Sequence, residues 1–256
     1  MLNVQALTKK FGGFTAVSSI SFDLAEGEIL GLIGPNGSGK STTFNLIAGL
    51  YAPTAGSIRF QGREIGGLSA TQVCHAGIGR TFQIPRPFRK LSVIENVTLA
   101  AYYGQAGRVS EAEARRQAAD ALDLIGLPHA RGEGIDGLGA AALKKLEMAR
   151  ALATQPRLLL ADESLGGLDE AEMEQAADML RMIRRERNIT IIWVEHIMGV
   201  LMRVVDRVIV LDHGEIISAG LPAEVAADPK VIEVYLGSDA AEVQEHARGR
   251  DDGARR

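Results

Sequence analysis

Polar and apolar positions alternate over residues 1–30 (Val4, Ala6 and Leu7; Val17, Ile20, Phe22 and Leu24), with breaks at Gly12-Gly13 and Glu26-Gly27. A period of two punctuated by glycine turns predicts antiparallel strands. The pattern then changes. Ile29–Ile33 is apolar throughout and runs into a glycine-rich segment, after which a helix is predicted from Lys40 to about Leu50, stopped by Gly49 and Pro53. Residues 57–61 read as one more strand of the early sheet. From about 90 to 152 the helical period dominates, with 111–125 a surface helix. Further on, 158–161 and Thr190–Val194 are short runs apolar on both faces, separated by a helical pattern over 170–186. Strands of that kind alternating with helices predict a mostly parallel α/β sheet. Residues 207–218 predict a hairpin turning at Asp212-His213-Gly214. The last stretch, 238–256, is polar and charge-dense, and a disordered tail is expected there.

Composition narrows the possibilities without deciding among them. A chain of 256 residues suffices for one sizeable domain, and 46% hydrophobic with 23% charged residues is ordinary for a globular protein. A net charge of −4 gives no field that would draw the whole surface to nucleic acid or anionic lipid. Cys74 is the single cysteine, so no internal disulfide can form. The first eleven residues lack the apolar core of a signal peptide, and no apolar run approaches the ~20 residues of a membrane span. A cytoplasmic protein is expected, with any membrane role exercised through partners.

The strongest chemical signal is Gly34-Pro35-Asn36-Gly37-Ser38-Gly39-Lys40-Ser41, a complete G-x-x-x-x-G-K-[ST] phosphate loop between a predicted strand and a predicted helix. Glycines let successive N–H groups point at phosphate oxygens, Lys40 adds a point charge, and Ser41 offers a hydroxyl to Mg²⁺. The helix start presents its positive dipole end to the same anion. Two other buried-looking strands also end in chemistry. Residues 158–161 lead into Asp162-Glu163, and 191–194 into Glu195-His196. Asp162 can hold Mg²⁺ through a water, and Glu163 can polarise an attacking water. The plainer alternatives are that the acidic pair caps a turn and that His196 is an ordinary strand-end residue. Three groups delivered at the carboxyl ends of parallel strands favour convergence on one phosphate.

On these residues the sequence resembles the nucleotide-binding domains of ABC transporters, over roughly 1–237. Gln83, in Arg80-Thr81-Phe82-Gln83, is similar to the family's glutamine loop, His196 to its switch histidine, and Leu168-Asp169 to the end of its dimer-contacting loop. The resemblance implies a P-loop NTPase core with an N-terminal antiparallel β subdomain and an α-helical subdomain inserted at about 84–152. It implies ATP and Mg²⁺ as cofactors. Phosphates would be bound by Asn36, Gly37, Ser38, Gly39, Lys40, Ser41 and Thr42. Phe11 and Val17 would lie against adenine, Phe11 having core packing as its alternative. Catalysis would fall to Glu163, His196 and Gln83, and the metal to Ser41, Gln83 and Asp162. The stretches 80–97, 145–150 and 228–237 are closest to ATP-binding subunits of branched-chain (hydrophobic) amino acid uptake systems. Uptake of urea, amides or aromatic acids is the neighbouring possibility. Implied partners are integral-membrane permeases at the cytoplasmic face, a second ATPase subunit and, indirectly, an extracytoplasmic binding protein. Arg86, Arg89 and Lys90 either meet acidic groups on a permease or form a solvated basic face.

One motif departs from the family. Where Leu-Ser-Gly-Gly-Gln is usual, this chain has Leu138-Gly139-Ala140-Ala141-Ala142. The serine hydroxyl that would grip a partner's ATP is gone, and alanine resists any positive φ the glycines adopt. With Asp169 this stretch would form the dimer contact. Ser164 stands where the family has proline. An intact set on the chain's own side and a degenerate one offered to a partner suggest one unequal half of a heterodimer. A homodimer, a poorly hydrolysing regulatory subunit and a soluble ABC ATPase acting on nucleic acid are the alternatives. Against the last, no basic stripe with interleaved aromatics is present.

Overall fold

The computed structural model describes residues 1–130, 134–162, 168–195 and 198–235. Strands β1 (Leu2–Phe11), β2 (Phe14–Leu24) and β3 (Ile29–Ile33) precede helix α1 (Lys40–Ile47); β4 (Ala55–Phe60), β5 (Arg63–Glu64), α2 (Ala70–His75) and β6 (Ile78–Arg80) follow. Three helices come next: α3 (Val93–Tyr103), α4 (Glu111–Leu124) and α5 (Ala140–Ala153). The chain then alternates through β7 (Leu158–Asp162), α6 (Glu170–Arg187), β8 (Thr190–Val194), α7 (Met198–Leu201), β9 (Arg207–Asp212), β10 (Glu215–Gly220) and α8 (Pro222–Ala226).

Two sheets result. A four-stranded antiparallel sheet has the order β2-β1-β4-β5, and a six-stranded sheet has the order β10-β9-β3-β8-β7-β6. In the second, β9, β3, β8, β7 and β6 run parallel, and the β9–β10 hairpin adds an antiparallel edge. The predicted parallel sheet and early antiparallel sheet are both present.

The parallel strands show no alternation in sequence because both faces are covered. Ile29, Ile33, Leu159, Ala161, Ile191 and Trp193 belong to one core, shared with α3 to α6. Leu30, Leu32, Leu158, Leu160, Ile192 and Val194 belong to another, shared with α1 and the antiparallel sheet. Side chains of successive strand residues point oppositely, so a central strand with cores on both sides must be apolar at every position. Burying one such Leu or Ile side chain contributes about 1.5–3 kcal/mol.

Several elements differ from expectation, among them the short β5, α2, α7 and α8, which the pattern did not predict. α1 stops at Ile47, three residues early, because the chain reverses at Gly49, whose φ is 72° and whose absent Cβ would sit 2.7 Å from the Leu68 carbonyl oxygen. β4 begins at Ala55 rather than 57. β6, only three residues long, lies where no strand was expected, and its pairing with β7 defines it. The expected tail, 238–256, falls outside the described residues.

Candidate nucleotide site

The phosphate loop joins β3 to α1 at the carboxyl edge of the parallel sheet. Its curl requires glycine at two places. Gly34 has φ 149°, and a Cβ there would lie 2.1 Å from the Leu211 carbonyl oxygen; Gly39 has φ 106°, and its Cβ would lie 2.7 Å from the Ala16 carbonyl oxygen. The loop is held from beneath by the β9–β10 turn. The Gly214 N–H donates to the Ser38 carbonyl at 3.0 Å, and the Gly214 carbonyl accepts from the Ser18 N–H at 2.8 Å. The predicted turn at Asp212-His213-Gly214 therefore also serves as the seat of the loop, which the sequence did not disclose.

Lys40 is 7% exposed and curls back, its Nζ donating to the carbonyls of Gly34 at 2.7 Å and Pro35 at 2.8 Å. No side chain caps the N-terminus of α1, so its first-turn N–H groups face the loop. The Ser38 hydroxyl is buried without a hydrogen-bond partner among the described residues. A buried hydroxyl left so is costly, and a phosphate oxygen would satisfy it. Ser41 and Asn36 are exposed on the same loop and Thr42 is half-buried.

Asp162 ends β7 and is 7% exposed. Its Oδ2 accepts from Arg80 Nη2 at 2.8 Å, while Arg80 Nη1 donates to Asn45 Oδ1 of α1 at 2.6 Å. The Asp162 N–H donates to Thr81 Oγ1 at 3.1 Å. Arg80 also lies near the rings of Phe44 and Phe82, 5.9 and 5.1 Å from their centroids. Sequence reasoning missed Arg80. Its signal was present but weak, a lone basic residue three positions before Gln83.

Gln83 is exposed, and α5 grips the segment around it. Arg150 Nη1 donates to Glu147 Oε2 at 2.8 Å and to the Arg86 carbonyl at 3.1 Å, with its guanidinium over the Phe88 ring. Burial pushes the Glu147 carboxyl above the usual range, opposed by Arg150 and by a hydrogen bond from the Phe82 backbone.

The remaining expected residues fall as follows. Phe11 is 43% exposed and packs edge-on against Tyr51, with Lys9 Nζ 5.0 Å from its ring centre. Val17 is 0% exposed, and its Cγ2 lies 3.5 Å from where a Gly39 Cβ would stand, so it packs at the floor of the loop. Gly139 is the N-cap of α5 with φ −71° and no side-chain cap, and Ala140, Ala141 and Ala142 lie in the helix itself. None of these alanines has positive φ, so the backbone strain expected of them does not arise. Asp169 caps α6, accepting from the Glu172 N–H at 2.8 Å. Glu163, Ser164 and His196 lie outside the described residues. Tyr235, on the helical run 229–235, meets the backbone of Gly34 and is pushed above the usual tyrosine range by burial.

A parallel sheet carrying this loop at its carboxyl edge defines a P-loop nucleotide-binding protein. Residues 17–166 match the ABC transporter family, and 215–241 match the branched-chain amino acid ATP-binding cassette transporter segment. The chain is 37% identical over 249 residues to the high-affinity branched-chain amino acid transport ATP-binding protein LivG of Salmonella typhimurium, covering 93% of this chain and 98% of that one. It is 34% identical to the corresponding BraF of Pseudomonas aeruginosa over the same shares. Among solved structures, it is similar to the ADP conformation of an ATP-binding cassette of an ABC transporter, at a TM-score of 0.83 and 29% identity, covering 93% of this chain and 98% of that one. It is also similar to a dimeric post-hydrolysis cassette bound to ADP and Pi, at 0.77 and 28%, covering 87% and 99%. The chain belongs to the ABC transporter family, as an ATP-binding and ATP-hydrolysing subunit of the branched-chain type.

Proposed function

We propose that the chain couples ATP hydrolysis to the uptake of branched-chain or other hydrophobic amino acids, acting at the cytoplasmic face of the membrane on integral permease subunits. The observation that carries the nucleotide part is the loop itself. Its buried Ser38 hydroxyl lacks a partner among the described residues, Lys40 reaches across it, and α1 opens onto it uncapped. The substrate part rests on similarity to LivG and BraF.

In this reading Gly37, Ser38, Gly39, Lys40, Ser41 and Thr42 bind the phosphates with Asn36 alongside, and Phe11 stacks on the base. Magnesium suits the donor set, which is oxygen throughout: the Ser41 hydroxyl, the Gln83 amide and the Asp162 carboxylate. Among the described residues no cluster of three His, Cys, Asp or Glu could hold a metal alone, so phosphate oxygens and water would complete the shell. The ion would neutralise charge on the phosphates. Glu163 orients and polarises the attacking water, Gln83 follows both, and His196 contacts the γ-phosphate.

The helical region 84–152 receives the permease. Supporting this, Phe82, Ile84 and Phe88 are 48%, 66% and 51% exposed on the segment that Arg150 holds. Large apolar side chains exposed together on one short segment suit a protein contact. No helix among the described residues is long and apolar enough to cross a membrane. The second nucleotide subunit is a different chain with an intact signature, and an extracytoplasmic binding protein acts through the permeases. The test is ATP turnover of the assembled complex with and without leucine-loaded binding protein. Stimulation by leucine that is lost in Lys40→Ala supports the reading; stimulation by urea or amides alone contradicts the substrate class.

A further inference from the structure

Arg80 holds the carboxylate that the proposed function assigns to a divalent cation. The guanidinium is fixed 2.8 Å from Asp162 Oδ2, and its other arm is fixed 2.6 Å from Asn45 Oδ1 on the helix that begins in the phosphate loop. The pair is nearly dry, with side chains 11% and 9% exposed. Screening by solvent is therefore small, and a charge this close acts strongly on anything else that approaches the carboxylate. Two aromatic rings, Phe44 and Phe82, flank the guanidinium and limit where it can swing. Arg80 also belongs to the run that continues through Thr81, whose Oγ1 receives the Asp162 N–H, to Gln83.

We propose that Arg80 is a positioning residue that sets how strongly Asp162 draws a divalent cation and ties that carboxylate to the glutamine segment. A planar guanidinium bridging Asn45 and Asp162 holds the carboxylate in one orientation while withdrawing part of its charge from a metal. Cation affinity at this site is consequently lower than the bare carboxylate would give. A displacement of the 80–88 segment changes it, because the same residue starts that segment. The inference rests on the reading of Asp162 as a metal-side residue.

The test is equilibrium binding of a fluorescent ATP analogue to the full chain, titrated with Mg²⁺, so that no turnover is needed. Arg80→Gln removes the competing cation and lowers the Mg²⁺ midpoint by roughly tenfold, the scale of one charge-assisted hydrogen bond. Arg80→Lys keeps the charge without the two-armed bridge and gives an intermediate midpoint. It also carries the test alone if Arg80→Gln does not fold, as judged by thermal unfolding in EDTA. Asp162→Asn, as the control, raises the midpoint. If Asp162→Asn raises it while both Arg80 variants stay within about twofold of wild type or move upward, the role of Arg80 is wrong. If Asp162→Asn leaves it unchanged, the underlying reading of Asp162 is what fails.

Discussion

Replacing Gly34 by alanine tests whether the phosphate loop is seated on the β9–β10 hairpin as described. The added Cβ would stand 2.1 Å from the Leu211 carbonyl oxygen and 2.6 Å from Ser38 Oγ, at a backbone φ of 149° that L-residues rarely adopt. The contact with Leu211 must open by about 1 Å, and the obstacle is backbone in a paired strand, which cannot rotate away as a side chain can. Overpacking of this kind costs about 1–3 kcal/mol, and the backbone conformation a further ~1–3 kcal/mol. For a chain of this length each kcal/mol lowers Tm by about 2–4 °C, so a fall of roughly 5–20 °C is expected. Gly37→Ala is the control: its φ is 81°, but nothing lies within 4 Å of its Cβ, so it bears the backbone cost alone. Thermal unfolding and binding of a fluorescent nucleotide should both rank wild type above Gly37→Ala above Gly34→Ala. An equal loss in the two variants would refute the seating of Gly34 against Leu211.

Two further outcomes follow from the helix that carries the altered signature. Gly139→Ser supplies the missing N-cap, and because Ser exceeds Gly there by only a few tenths of a kcal/mol, Tm should move by about 1 °C or less, while turnover at the composite site it faces should rise by about tenfold; an unchanged rate in the assembled complex would show the lost hydroxyl is not what weakens that site. Burial raises the Glu147 carboxyl in the folded state, so stability from this group is fullest below the unfolded value near 4.5 and is lost as pH rises through the folded value. Glu147→Gln should remove that part of the pH dependence of the urea midpoint, and parallel pH profiles for the two proteins would count against it.

Much of this architecture could be read from the chain, and the exceptions share a cause. β3, β7 and β8 were legible because continuous apolar runs of strand length have few other uses in a parallel sheet. The phosphate loop was legible because its glycines are demanded by local backbone geometry. What stayed hidden depends on distant partners. Ile78–Arg80 is a strand through its pairing with β7, and Arg80 gains meaning only when Asp162 and Asn45 arrive beside it. Gly214 reads as a hairpin glycine, and nothing local says that it holds Ser38. Val17 reads as one more apolar strand position, and nothing local says that it packs under Gly39. The alanines of the signature stretch suggested strain, yet they occupy the first turn of α5, where alanine is favourable. What this surface lacks is therefore the serine hydroxyl at position 139, where glycine stands, and no residue of 139–142 has a positive φ.

That contrast sharpens the proposed unequal pairing of two ATPases, in which this chain would supply the working phosphate loop and the weaker facing surface. The direct measurement is ATP turnover of the assembled transporter with Glu163→Gln in this chain, compared with the matching change in the partner subunit. The unequal pairing predicts that Glu163→Gln here abolishes turnover and that the partner's change leaves most of it. Abolition by the partner's change alone, with turnover preserved in Glu163→Gln, would contradict it.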